Sequence, residues 1–562
     1  MVATLREPGS ATLPLVERPA DHDVIMLGGG VNGLGTARDC AMRGLKVLLL
    51  ERGDLASGAS GGSSGLIHGG PRYMLSGPRV TRLACRDSGY IQRLAPHLLF
   101  RIPFLVPFTS KRERQSLVER AVAYATEVFF STYDLYQPLK RGKPSVRLSA
   151  GELYRLEPGL RPGLHGAVSF DEWGIDAHRL CVLNALSARD HGAEVRTWTE
   201  GREVRREGGR AVGVSWVDRV TGERGEARAP IIFNATGAWS PAFARRQGAT
   251  VRMRPGKGVH LVMDRRLSDY AVVCNAVDGR MMFVYPHQRE SWIATTDDDF
   301  YGDPDDCEAT ADEVDYLLEG AASVFPSVRQ ARLTRAFWGV RTTLHDYGPN
   351  EDDLSREHEL VDHAADGAAG LLSFVGGKLA SYRAQSEEVT DRILRELGRP
   401  PVACRTHLEP LPGGEATADA AALAIRHGVA LPLVARVVYR HGALAGEVLR
   451  LCDDDPRLRL LLCREEGILA AEVVHCVRHE LVRKLVDLRT RLKLAVGACG
   501  GLDCARVAAQ LAARELGWPA ERARLELAEL LQAGWRERRA VLGGAQLAQE
   551  ELLRGAHWAV NP

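Results

Sequence analysis

Charge imbalance is the first thing this chain lacks: its 562 residues carry 73 Lys plus Arg against 72 Asp plus Glu, a formal net charge of +1. No overall field would draw it to nucleic acid, so nucleic acid is excluded as a partner and partners must be sought in local sites. Long apolar runs are missing too. No window approaches the roughly 18 uncharged apolar residues that a membrane-spanning helix needs. The opening stretch, MVATLREPGSATLPLVERPADHD, has no continuous apolar core of signal-peptide length, and Arg6, Glu7, Glu17 and Arg18 interrupt it. Residues 1–22 read as a disordered lead-in. The eleven cysteines are scattered and odd in number, which argues for reduced thiols in the cytoplasm over a disulfide framework. What is present is ordinary for a globular protein, 45% hydrophobic and 26% charged residues, and at roughly 150 residues per domain the length implies two to four units.

The stretch HDVIMLGGGVNGLGTARDCAMRGLKVLLLERGD carries the most information. Val24 to Leu27 read as a buried strand, Gly28, Gly30 and Gly33 give G-x-G-x-x-G, a helix follows up to Gly44, and KVLLLE is a second strand closing on Glu51. In such a βαβ unit Gly28 makes the tight turn, Gly30 lets the backbone approach a pyrophosphate, and Gly33 lets helix and strand pack. The helix N-terminus faces the negative charge, and Glu51 is placed to accept hydrogen bonds from ribose hydroxyls. A nicotinamide enzyme would continue in strand and helix alternation. Here the chain enters the run GGSSGLIHGGPRYMLSG, residues 61–77, which favours FAD. The segment RAPIIFNATGAWS adds a strand followed by Thr236 and Gly237, small residues that let a cofactor come close.

The motifs GGGVNGLGTARDCAMRGLKVLLLE, GLIHGGPRY, NATGAWS, RMRPGKGVHLVM, TTDDDFYGDP, WGVRTTL and SFVGGKLASYR occur in the order found in FAD-dependent glycerol-3-phosphate dehydrogenases. The chain resembles these flavoproteins, within the wider group similar to D-amino-acid oxidase, from residue 23 to about residue 395. The resemblance implies an α/β (α+β) architecture: a Rossmann-like FAD-binding domain interleaved with an antiparallel-sheet substrate domain over residues 23–398. It also implies oxidation of sn-glycerol 3-phosphate to dihydroxyacetone phosphate, with electrons passed to a quinone or to a partner electron-transfer subunit.

That chemistry needs a group to take the hydroxyl proton, a cationic clamp for phosphate and a backbone that places the carbon over the flavin. His68 is the expected general base, since imidazole titrates near neutral pH. The resemblance points to Arg72, Tyr73, Arg341 and Arg356 for the phosphate, guanidinium forks being suited to its oxygens. Lys378, after a Gly-Gly pair at the end of an apolar strand, would stabilise negative charge on the reduced flavin; with His68 and Arg72 it completes the expected catalytic set. Ser63, Ser64, Gly65, Ile67 and His68 of the glycine and serine run, Asn32 of the first loop, and Gly377 and Leu379 beside Lys378 complete the expected cofactor contacts.

Between residues 100 and 145, Val122, Tyr124, Val128, Phe129, Phe130, Tyr133, Leu135 and Tyr136 lie between the basic clusters Lys111 to Arg114 and Lys140 to Lys143. A basic-flanked amphipathic helix can lie in a bilayer interface, and the same stripe is also what packing against its own domain produces. The expectation is a cytoplasmic protein with room for peripheral contact on the membrane face and for a homodimer.

Residues 399–419 read as a linker, and residues 420–562 as a separate helical domain. In it Cys463, Cys499 and Cys504 resemble the small iron–sulfur domain on the catalytic subunit of the anaerobic enzyme. Glu465 stands where the second cysteine of a C-x-C would be. Four thiolates are the usual ligands of a [2Fe–2S] centre, so the expectation is a domain without metal, with an atypical Cys3Glu cluster as the alternative. Two other functions fit the same fold: a dehydrogenase of a longer polyol phosphate such as erythritol phosphate, and a non-catalytic assembly flavoprotein.

Overall fold

The computed structural model describes residues 20–75, 77–109, 116–346, 348 and 357–560, with the side chains of Arg72 and of residues 556–560 outside that description. Most of the expected lead-in and the basic run Lys111 to Arg114 fall outside it as well.

The βαβ unit forms as the periodicity predicts: β1 is Val24–Leu27, α1 is Val31–Met42 and β2 is Val47–Leu50. β1 lies inside a six-stranded sheet, parallel to β2 on one side and to Ile231–Asn234 on the other. Next comes Leu371–Gly376, parallel to Ile231–Asn234, and then the antiparallel edge strand His358–Asp362. Successive side chains of a strand point to opposite faces. Val24 and Met26 accordingly pack with α1 and the helix Ala177–Asp190, while Ile25 and Leu27 pack with Val204, Val214 and Ala227 of a three-stranded sheet below. Burial on both faces explains why VIML and VLLL carry no polar residue.

A second sheet of nine strands, mostly antiparallel, is threaded between these segments. Its longest pairing joins Met253–Met263 to Leu333–Leu344, and β3, Leu99–Thr109, pairs with Leu164–Ile175. The helix Ala311–Ala322 covers one part of it, and α3, Leu117–Tyr133, packs Ala123, Phe130 and Tyr133 on another.

The segment read as a linker is held against the first domain. Arg38 of α1, 1% exposed, donates to the carbonyls of Thr406 (3.1 Å) and Glu409 (2.6 Å), and Leu411 is buried. The C-terminal helices have a hydrophobic core of their own. Two buried ion pairs reach back from them: Arg179 to Glu480 and Asp54 to Arg491, each at 2.5 Å. Both pairs are hydrogen-bonded on more than one side, the condition under which a buried pair repays its desolvation.

Candidate functional site

A groove of about 820 Å³ opens at the N-terminus of α1, lined by Gly28, Gly30, Asn32, Glu51, Thr236 and Gly237. Gly28 has φ +112° and a Cβ there would run into the carbonyl of Ala235. At Gly33 a Cβ would strike the carbonyl of Gly28, so Gly33 serves helix–strand packing and does not face the groove. Glu51 is buried, and its carboxylate accepts the N–H groups of Gly29 at 2.5 Å and Gly53 at 2.7 Å. Burial pushes its carboxyl up, and those two donors pull against the rise. The Oδ1 of Asn32 is buried with no hydrogen-bond partner among the described residues. An orphaned acceptor beside glycine backbone at a helix N-terminus fits a dinucleotide, which brings hydroxyls to the first and phosphates to the second.

The groove continues into a chamber of about 570 Å³, the two sharing Val31, Asn32, Ala59, Ser60 and Thr342. Here the fold brings together His68, Tyr73, Ser63 and Ser64 from the glycine and serine run, Arg341 from the second sheet, and Gly377, Lys378 and Leu379 from the first. Gly376 and Gly377 have φ +87° and +89°, a reversal that side chains disfavour, and it delivers Lys378 to the chamber. The Nζ of Lys378 lies 3.5 Å from the carbonyl of Gly69 and 5.1 Å from the ring centre of Tyr73. Gly70 clears the path: a Cβ there would sit 2.6 Å from that nitrogen.

Arg341 is opposite Gly256 across the strand pair. Its guanidinium donates to Asp297 (2.7 Å), the carbonyl of Thr296 (3.2 Å) and the hydroxyl of Thr295 (3.2 Å). It lies flat over Gly258, where a Cβ would collide with Nη2.

Not every expected residue reaches the chamber. Ile67 is fully buried in the core, its N–H bonded to the carbonyl of Trp173. Gly65 lines a different cavity, on the far side of the loop. The backbone of Arg72 sits in a 3₁₀ turn, Pro71–Tyr73, with its side chain outside the described residues, and Arg356 lies outside them altogether. Lys140, taken as part of a basic flank, is buried and pairs with Glu172 at 2.8 Å. It cannot serve a membrane face.

Sequence reasoning missed His260, although it stands in the motif RMRPGKGVHLVM. It lines the chamber, is 2% exposed, and stacks on Phe337 with ring centres 4.5 Å apart. Burial, helped by the Arg341 charge, lowers it to about 3, so the ring is neutral. Its neighbours in sequence are apolar, and only the cross-strand register reveals what it faces.

In the C-terminal domain Cys463 and Cys504 share a thiol–thiol hydrogen bond, which lowers the first thiol and raises the second. The N–H of Cys499 donates to Glu465 Oε1 at 3.2 Å, and the other carboxylate oxygen is 4.0 Å from Arg289. The donor set is three thiols and a carboxylate already engaged by an N–H, which does not fit the four-thiolate set of a [2Fe–2S] centre.

Comparison with known proteins agrees with this layout. The FAD dependent oxidoreductase family model matches residues 23–383, and that of the C-terminal domain of alpha-glycerophosphate oxidase matches residues 404–523. The chain is 33% identical over 551 residues to a subunit, designated A1, of the anaerobic glycerol-3-phosphate dehydrogenase of Haloferax volcanii, covering 95% of this chain and 90% of that one. It is 33% identical over 540 residues to a subunit of the anaerobic glycerol-3-phosphate dehydrogenase of Escherichia coli, covering 95% of each. A glycerol-3-phosphate dehydrogenase from Bacillus halodurans, solved with FAD, superposes with a TM-score of 0.72 at 24% identity over 93% of this chain and 96% of that one, a likeness of fold.

Proposed function

Since the chain belongs to the FAD-dependent oxidoreductase family, we propose that it oxidises sn-glycerol 3-phosphate to dihydroxyacetone phosphate, with FAD as the hydride acceptor. The observation that carries this reading is identity of 33% over 95% of the chain to subunits of dehydrogenases named for that substrate. The joined groove and chamber support it physically, one lined by the glycine turn and Glu51 as a dinucleotide requires and the other lined by both a histidine and cationic side chains.

Gly28, Gly30, Asn32, Glu51, Thr236 and Gly237 hold the dinucleotide part of FAD, and Ser63, Ser64, Gly377, Lys378 and Leu379 border the ring. Bound there, FAD supplies a two-electron acceptor for hydride. His68 takes the hydroxyl proton on its imidazole as the carbon–hydrogen bond is broken, a contribution of about 10² to 10⁴ in rate. Arg341 and Tyr73, with Arg72 and Arg356, orient the phosphate. Lys378 places its cation where negative charge builds on the ring, a contribution of the oxyanion-hole kind. Electrons leave to a quinone or to a partner electron-transfer protein; the latter is in keeping with relatives that are themselves named as parts of a larger enzyme.

Anaerobic mixing tests the reading. Glycerol 3-phosphate bleaches the flavin and unphosphorylated glycerol does not; absence of bleaching overturns it, and bleaching only by a longer polyol phosphate moves the substrate assignment there.

One further feature favours peripheral contact with the cytoplasmic membrane face. The outer side of α3 leaves Leu117 82%, Val118 73%, Val122 59% and Tyr124 65% exposed, while no described helix is long and apolar enough to cross a membrane. Sedimentation with anionic vesicles, lost in Leu117→Glu/Val118→Glu, is the expected result; equal sedimentation of both proteins removes this face as the contact.

A further inference from the structure

Glu172 is a carboxylate to which the mechanism above gives no task. It stands on the strand Leu164–Ile175, is 1% exposed, and still lines the flavin chamber. Its Oε1 is engaged twice: the hydroxyl of Tyr133 donates to it at 2.7 Å, and the Nζ of Lys140 lies 2.8 Å away. Its Oε2 is buried with no hydrogen-bond partner among the described residues. A buried carboxylate oxygen without a donor is costly, and native proteins rarely keep one without a use for it.

The strand register shows what faces it. The N–H of Ile175 donates to the carbonyl of Gly65 at 2.8 Å and that of Ile67 to the carbonyl of Trp173 at 2.9 Å, with Leu66 opposite Gly174 in an antiparallel bridge. One step further along the same register, His68 falls opposite Glu172. Residues opposite one another in an antiparallel pair put their side chains on the same face, with Cβ atoms about 4.5–5.5 Å apart. The alternation agrees: Leu66, His68, Phe170 and Glu172 all line the chamber, whereas Ile67 packs with Trp173 in the core on the other face. The chain stays close beyond His68, since a Cβ on Gly69 would sit 2.3 Å from the Tyr133 hydroxyl that holds Glu172.

The groups behind Glu172 fix it in place and leave Oε2 open. Lys140 is fully buried, and its Nζ also donates to the carbonyl of Asp171 at 2.5 Å and to the Tyr133 hydroxyl at 3.3 Å. Burial and the Glu172 charge push the Tyr133 hydroxyl well above its ordinary value, so it remains a donor. The Cys85 thiol, 3.8 Å from that hydroxyl, is raised by burial and stays neutral. From the other walls of the chamber Lys378, Arg341, Tyr73, Asp297, Glu357 and the neutral His260 face His68. Lys378 and Arg341 oppose a positive imidazole, Asp297 is paired with Arg341, and Glu357 is exposed. Glu172 is thus the buried carboxylate on the side of His68.

We propose that Glu172 is the positioning residue of His68: Oε2 accepts the N–H of one imidazole nitrogen, which leaves the other nitrogen to take the substrate's hydroxyl proton. That proton moves from the secondary hydroxyl to the imidazole, the hydrogen on the carbon leaves with its electron pair as hydride to the cofactor, and C–O becomes C=O. Glu172 takes no proton itself; its negative charge offsets the positive charge that appears on the ring. This rests on the flavoenzyme reading above, in which His68 is the base, and the test separates the two.

Glu172→Gln alone would strand the Lys140 charge, so the variant is Glu172→Gln/Lys140→Met, which removes both charges and keeps the volume. Histidine labelled with carbon-13 at Cε1, with the His68 signal identified by its loss in His68→Ala, reports the imidazole titration by NMR in FAD-loaded protein without substrate. His68 should titrate about one pH unit lower in the double variant than in wild type, since an adjacent carboxylate favours the charged ring. In stopped-flow reduction by glycerol 3-phosphate the acid limb of the pH profile should move down with it, and the plateau rate should fall about 10²-fold as the base loses its orientation. A merely structural role for the pair would change flavin content or stability and leave the His68 titration where it is. Equal titration of His68 in the two proteins overturns the proposal. Should the double variant not bind FAD, Lys140→Met decides with the opposite sign: with the cation gone and the carboxylate kept, His68 should titrate higher, and an unmoved signal overturns the proposal. Failure of glycerol 3-phosphate to bleach the wild-type flavin would defeat the substrate reading, while the His68 titration, which needs no substrate, still decides for or against Glu172.

Discussion

The Nε2 of His260 lies 2.7 Å from the hydroxyl of Ser64, and this contact ties the second sheet to the loop that borders the flavin chamber. The carbonyl of Ser64 is held as well, by the hydroxyl of Tyr285 at 3.0 Å. Two groups from one sheet thus fix a segment rich in glycine, which has little rigidity of its own. The loop is placed by its neighbours.

A pH dependence follows from His260. Its folded value, about 3, lies below the ordinary 6.5, so the unfolded chain takes up a proton on falling through pH 6.5 and the folded chain does not. The neutral state's stability is complete above pH 6.5 and is lost as pH falls toward 3. Relative to His260→Gln, which has no such proton, the wild type should lose about 1.4 kcal/mol per pH unit below pH 6. Denaturant unfolding of both proteins at pH 7 and pH 5 measures it. An unchanged difference would mean that His260 is charged in the folded protein.

Arg341 and Asp297 form a pair with side chains 26% and 12% exposed. Arg341→Ala should raise KM for glycerol 3-phosphate roughly 10- to 100-fold, as expected for loss of a charge-assisted phosphate contact, and should destabilise the protein by removing the positive partner of the Asp297 carboxylate in this ion pair. Adding Asp297→Asn should restore the thermal midpoint but not KM. If the double variant recovers KM, Arg341 does not bind the phosphate.

Gly258→Ala probes the same group indirectly. The new methyl would collide with the end of the Arg341 side chain and not with backbone, so the arginine can move and the fold survives. The expected outcome is a raised KM with normal flavin content, read from steady-state kinetics and the flavin absorbance ratio. A normal KM would mean that Arg341 need not lie over Gly258 to act.

His68→Ala should slow flavin reduction by about 10² to 10⁴ with substrate affinity kept, as expected for removal of a general base. Lys378→Met should slow reduction too, and it should also lower the flavin reduction potential, because a cation favours the anionic reduced ring. Spectroelectrochemical titration of Lys378→Met supplies a readout independent of turnover. An unchanged potential would place Lys378 away from the ring.

The glycine-marked βαβ unit was legible because each of its parts is local: apolar strands, a turn that excludes Cβ, and an acid at a strand tip. That His68, Arg341 and Lys378 border one chamber was legible through motifs. His260, Asp297 and Thr295 were not, since their meaning depends on the register of Met253–Met263 against Leu333–Leu344 and Glu290–Ala294, strands far apart in the chain. Lys140 misled because a basic residue near a helix end looks solvated until a buried carboxylate, Glu172, comes up from a strand well beyond it in the chain.

The cysteine site gives a test by gain of function. The resemblance puts Glu465 where a fourth thiolate would stand; its carboxylate accepts the N–H of Cys499 and packs against Gly497, where a Cβ would not fit beside it. Wild type purified anaerobically should contain no iron, and reduction should give no EPR signal. Glu465→Cys shortens that side chain and completes a C-x-C with Cys463, so with Cys499 and Cys504 four thiolates are available for a [2Fe–2S] centre. After reconstitution with iron and sulfide this variant, and not the wild type, should take up about two irons per chain and show the EPR signal on reduction. Iron and signal in the wild type would mean that the carboxylate serves as a ligand. Failure of the variant to take up iron, with its fold intact by circular dichroism, would mean that the three remaining cysteines no longer hold cluster geometry.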